Sequence, residues 1–130
     1  MRRMIAFDCE GDGLIATLDE GEKSTGLLIV SGGNEIRSGA HAGQAAMAAY
    51  FAAKGYPIFR YDRRGIGESE GENGDFESSA PDIAAAVIAF QNHMPQIERL
   101  VAFGNCDAAS ALALFHGGVP IDHLILANPW

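Results

Sequence analysis

An α/β fold, with a mainly parallel sheet and helices on both faces, is predicted for this 130-residue chain by three observations. Short apolar runs alternate with helical, small-residue-rich stretches, and each crossover is long enough for a right-handed return. One run, Gly26 to Val30, is continuously apolar, as a strand covered on both faces must be. Another, Leu100 to Phe103, breaks at a cysteine directly into an alanine-rich helical segment.

The elements follow in order. Met4 to Phe7, a turn through Gly11, Asp12 and Gly13, and Leu14 to Leu18 read as a hairpin. The Gly26 to Val30 strand empties into Ser31-Gly32-Gly33-Asn34. Ala40 to Lys54 has a helical pattern, with Gly55 in the place of a C′ glycine, and Pro57 to Tyr61 is the next strand. Gly65, Gly67, Gly71 and Gly74 punctuate a polar loop, and Ser79 and Pro81 mark entry to a second helix. In that helix Ile83, Val87, Phe90 and Met94 are spaced four, three and four apart, the stripe of a helix laid on a sheet; Pro95 stops it. Leu100 to Phe103, a helix over Asp107 to Phe115 and a sixth strand over Leu124 to Ala127 complete the chain as one domain over residues 1–130.

Apolar content of 48% with 20% charged residues is ordinary for a globular core. The formal charge of −8 argues against nucleic acid and anionic membrane surfaces, both of which need a cationic footprint. No apolar stretch of signal-peptide length follows Arg2 and Arg3, and no segment approaches membrane-spanning length, so a cytoplasmic location is expected. Cys9 and Cys106 have neither disulfide-framework nor zinc spacing, and no metal or cofactor is expected.

Cys106 carries the sharpest chemistry. In G-x-S-x-G turns, small residues two before and two after the nucleophile let a strained elbow close and expose it at a helix N-terminus. Gly104 and Ala108 fill those places, with cysteine for serine, and the helix dipole there favours thiolate. The alternative is a structural cysteine packed as a small hydrophobe. Cys9 has no such context and reads as inert. The Ser31 to Asn34 loop lies where this architecture lends one backbone N–H to an oxyanion hole, the other being that of Asp107; a plain tight turn would also use Gly-Gly.

The loop from Asp62 to Ser69 follows a strand and is glycine-rich, yet it has neither phosphate-binding glycine pattern, so a structural loop with Arg64 held by carboxylates is expected. Among the histidines, His93 and His116 sit at helix C-termini and His123 just before a strand, away from the C-terminal strand ends where such sheets work. His116 is ten positions past Cys106, about 15 Å along the helix. His41 is on the functional edge, either as a substrate-edge residue or as a helix-start residue bonding nearby backbone.

As a set, Gly32-Gly33, Ser38-Gly39-Ala40-His41, Gly55-Tyr56-Pro57, Asp62-x-Arg64-Gly65-x-Gly67-x-Ser69 with Glu70-Gly71, Gly104-x-Cys106-Asp107-Ala108-Ala109 and Asn128-Pro129-Trp130 resemble the α/β-hydrolases. In particular they resemble the first type of exosortase A system-associated hydrolase, found beside exopolysaccharide and protein-sorting loci of Gram-negative bacteria. The resemblance implies an ester or thioester hydrolase acting on a small acyl substrate, with Cys106 as nucleophile and Gly33 and Asp107 as oxyanion N–H donors. It also implies that the chain is the N-terminal portion of such a domain, ending after the sixth strand, because the family's acid and histidine follow the nucleophile beyond residue 130. The rival expectation is a catalytically silent binding or assembly module, or an inactive fragment, that pairs its apolar edge strand 124–127 with a second copy of itself or with a C-terminal partner.

Overall fold

The computed structural model describes residues 1–129, so the Trp130 end of the Asn-Pro-Trp motif lies outside the described residues. The strands are β1 (Arg2–Cys9), β2 (Asp12–Asp19), β3 (Thr25–Val30), β4 (Ile58–Tyr61), β5 (Arg99–Asn105) and β6 (His123–Ala127). The helices are α1 (Gly43–Ala52), α2 (Ala80–His93) and α3 (Asp107–Phe115). All six strands form one sheet in the order β1-β2-β4-β3-β5-β6. β2 is antiparallel to both its neighbours, and the β3/β4, β3/β5 and β5/β6 pairs are parallel.

Helices cover both faces, as expected. On one face Ile83, Val87 and Phe90 of α2 and Ala108, Ala111 and Leu112 of α3 pack with Leu28, Phe59, Tyr61 and Leu100. Phe90 stacks on Phe59 with centroids 5.3 Å apart. On the other face α1 sets Ala48, with Met47 and Phe51, against Ile29 and Ile58. The 83-87-90-94 stripe is buried throughout, and truncating Phe90 would cost about 3–5 kcal/mol through lost burial and the cavity left behind.

Two local expectations are corrected. The hairpin turn is not Gly11 to Gly13 but the two residues Glu10 and Gly11, at φ +51° and +89°. Cys9 already pairs with Asp12, which is the mirror-image turn that matches strand twist. Gly13 lies within β2, where its N–H donates to the Glu70 carboxylate at 2.8 Å.

The helix expected from Ala40 starts instead at Gly43. Residues 40–42 form a separate 3₁₀ turn, with His41 and Ala42 at φ +52° and +56°. The cause lies in competing acceptors. The Ser38 carbonyl takes the N–H groups of Gln44 and Ala45, while the Glu35 carboxylate takes that of Ala40 at 3.0 Å, so the intervening residues loop out. At the other end the reading holds: Gly55, at φ +94°, donates to the Ala52 carbonyl, and Tyr56 donates to that of Phe51. That pair of bonds is the Schellman closure with glycine at C′.

Candidate active site

The strand-to-helix junction of β5 and α3 is built from small residues. A Cβ on Gly104 would lie 2.7–2.9 Å from the backbone of Ala108 and Ala109, so only glycine lets the first turn of α3 fold back onto its strand. Cys106 occupies the apex at φ +61°, ψ −123°. A side chain held there costs about 1–3 kcal/mol, which the surroundings must impose. Its N–H donates to the Ala127 carbonyl at 2.9 Å, and its own carbonyl receives the N–H groups of Ala109 and Ser110. The thiol is exposed, with Sγ 4.0 Å from Asp107 Oδ1. Asp107 and Ala108, the first two residues of α3, come too early in the helix for their N–H groups to have intrahelical acceptors.

The Gly-Gly loop meets this elbow. A Cβ on Gly32 would fall 2.7 Å from the Asn105 carbonyl, 3.1 Å from the Ala108 nitrogen and 3.4 Å from that of Asp107. Gly33, at φ +54°, follows. The loop is tied down along its length. Ser31 bonds Gln44 at 3.1 Å, Asn34 accepts from Asn73 at 2.9 Å, and the Gly33 carbonyl accepts from the Arg63 guanidinium. Arg37 donates its N–H and its Nη1 to Asp62, both at 2.7 Å.

Cys106, Asp107 and the Gly32–Gly33 loop are therefore brought together. His41 is exposed on the 3₁₀ turn that precedes α1. The other histidines are distant. His123 pairs in register with Val101, whereas Asn105 pairs with Ala127; four strand residues, about 13 Å, separate it from the elbow. His93 ends α2 with Nδ1 3.5 Å from Arg3, and His116 Nδ1 lies 2.8 Å from the Leu112 carbonyl. Among the described residues no group of three His, Cys, Asp or Glu side chains is placed to hold a metal ion, and no helix is long and apolar enough to cross a membrane.

The loop after β4 is structural in the expected way. Arg64 donates from Nε and its backbone N–H to Asp82 at 2.7 and 2.9 Å, and from Nη1 to Glu10 at 3.1 Å. Cys9 is buried, and burial, then the charge of Asp82, pushes its thiol up to about 11. Sequence reasoning missed Arg37, Asp62 and Arg63 as the groups that hold the Gly-Gly loop. Only the Asp-x-Arg-Gly motif hinted at a built loop, and it says nothing about its partners.

These features define the class. The family described as serine aminopeptidase, S33, matches residues 22–130, and the chain belongs to this family of α/β-hydrolases. No curated protein sequence matches it. Among solved structures, the α/β-hydrolase GrgF from Penicillium sp. sh18 is similar at TM-score 0.85 and 23% identity, over 99% of this chain and 46% of that one. The esterase Pf2001 of Pyrococcus furiosus is similar at TM-score 0.86 and 19% identity, over 99% and 51%. An α/β-hydrolase of Sphaerobacter thermophilus is similar at 0.70 and 24%, over 95% and 44%. At these identities the likeness is one of fold, and the chain spans about half the length of these solved relatives.

Proposed function

We propose that this chain carries the nucleophile and oxyanion half of a hydrolase acting on an ester or thioester of a small acyl group, of the exosortase A system-associated type, in the cytoplasm. Cys106 Sγ, as thiolate, would attack the acyl carbonyl carbon. The carbonyl electron pair would move onto oxygen, where the N–H groups of Gly33 and Asp107 would hold it. Collapse would break the C–O or C–S bond, the leaving group departing with the electron pair, to leave a Cys106 thioester for water to cleave. The observation that carries this reading is the positive-φ Cys106 at the strand-to-helix apex, with Gly32 packed against the first turn of the helix. A hollow of about 250 Å³ beside Asn105, lined also by Met47, Phe103 and Gln44, would receive the acyl group.

His93, His116 and His123 are too remote to serve as the base, and His41 is read as a rim residue, so the general base and its acid partner come from outside this set. Acylation is then the reach of this chain: one equivalent of acyl group, and little turnover beyond it. Treating it with excess p-nitrophenyl acetate, with intact-mass and peptide mapping, should place one acetyl on Cys106 and none in Cys106→Ala. Acetylation of Cys9 in preference, or equal labelling of the variant, overturns the nucleophile assignment. Sustained turnover that His41→Ala suppresses would instead make His41 the base.

A further inference from the structure

Three arginines cluster around the loop after β4, and they are not equivalent. Arg37 meets Asp62 at 2.7 Å and Glu68 at 2.7 Å, and Arg64 meets Asp82 at 2.7 Å and Glu10 at 3.1 Å. Arg63, the residue before Arg64, is 6% exposed and forms no salt bridge among the described residues. Its Nη2 donates to the Gly33 carbonyl, and its Nε has no hydrogen-bond partner among the described residues. Burying a cation without a counter-charge is unfavourable, and a chain that needed only stability there would be better served by an apolar side chain. The guanidinium is instead spent on one acceptor, the carbonyl of the residue read above as an oxyanion donor.

We infer that Arg63 is a positioning residue of the oxyanion site: its guanidinium fixes the peptide that follows Gly33 and holds a positive charge behind the loop where the tetrahedral anion develops. The inference rests on the reading of Cys106 and Gly33 under Proposed function. Its physical content is preorganisation. A loop with Gly33 at φ +54° has conformational freedom to lose, and a donor on its carbonyl removes that freedom before reaction. Asp62, the preceding residue, anchors Arg37 four residues further along the same loop, so consecutive residues at the end of β4 clamp it at two points. A buried positive charge close to the loop favours an anion there, because little water screens it.

The test compares two reactions of one thiol. Acetylation of Cys106 by p-nitrophenyl acetate forms the S–C bond and expels nitrophenolate with its electron pair, the thiol proton going to buffer; it passes through an oxyanion. Alkylation by iodoacetamide displaces iodide and has no oxyanion. The ratio of the two rates therefore reports the oxyanion site with thiol reactivity divided out, which a merely structural role for Arg63 would not move. Arg63→Met keeps the stem and removes donor and charge, and the ratio should fall tenfold or more. Arg63→Lys keeps the charge on a shorter donor, and the ratio should fall about threefold. If Arg63→Met does not fold, Arg63→Lys decides. Ratios within twofold of the parent in every folded variant overturn the role of Arg63 while leaving the nucleophile standing. A parent that is alkylated but never acetylated overturns the reading of the site, and this assignment with it.

Discussion

Arg37 and Asp62 form a doubly bonded pair, backbone N–H and guanidinium both reaching the carboxylate at 2.7 Å, and Asp62 is fully buried. A third donor, the Glu68 N–H, completes the carboxylate at 3.0 Å. One side chain thus joins the loop after β3, which borders the elbow at the end of β5, to the loop after β4 beyond it.

Removing that carboxylate leaves the Arg37 and Glu68 N–H groups without this acceptor and the partly buried Arg37 guanidinium with only Thr17 and the exposed Glu68. Asp62→Ala should lower stability by about 3–5 kcal/mol, the range for breaking a buried charge pair from one side. Urea unfolding of the variant and the parent measures it. A loss below about 1 kcal/mol would mean that water replaces the carboxylate and that the pair does not hold the loop.

Alkaline stability provides a second check. Burial raises Cys9 to about 11 from an ordinary 9.0, and it raises the Tyr61 hydroxyl as well. Both groups are neutral when protonated, and in each the folded pKa lies above the unfolded one. Their contribution is therefore intact below about pH 9 and declines as the unfolded chain begins to lose its protons, through Cys9's folded value near 11. The midpoint of urea unfolding should fall from pH 9 to pH 10.5, and less steeply in Cys9→Ala and in Tyr61→Phe. Because the Tyr61 hydroxyl is buried with no hydrogen-bond partner among the described residues, Tyr61→Phe should also be neutral or stabilising at pH 7. A loss of more than about 1 kcal/mol there would show that a bound water serves this hydroxyl.

How far the sequence could be read depended on whether a feature is local. The α2 stripe, the span of α3 and the C′ role of Gly55 depend on spacing and on backbone rules that act within a few residues, and they were legible. The split at Ala40 to Ala42 was not, because it depends on where the Glu35 carboxylate and the Ser38 carbonyl point. The site divides the same way. The Gly104-x-Cys106-x-Ala108 apex could be read from residue sizes. Arg60 and Arg63 could not be placed, because charged side chains in a sequence read as solvated surface, and here both are buried.

The β6 edge carries the last expectation. β6 pairs with β5 on one side only and ends the sheet among the described residues. Ile125 and Leu126 are 52% and 37% exposed, and the strand bears no Lys or Glu to discourage pairing. Edges of this kind recruit another strand, and the charge of −8 opposes association only at long range, so added salt should strengthen it. We propose that the chain self-associates through residues 124–127. Sedimentation should show weight-average mass rising with concentration, and Ile125→Lys, which sets two like charges across an antiparallel pair, should return it to the monomer. Leu126→Pro should act similarly by removing a donor and adding a steric break. Since Cys106 donates its N–H to Ala127 at the end of this strand, association should also slow alkylation of Cys106. A sharp monomer at every concentration and salt would mean that β6 is not available for pairing, and the proposal would fall.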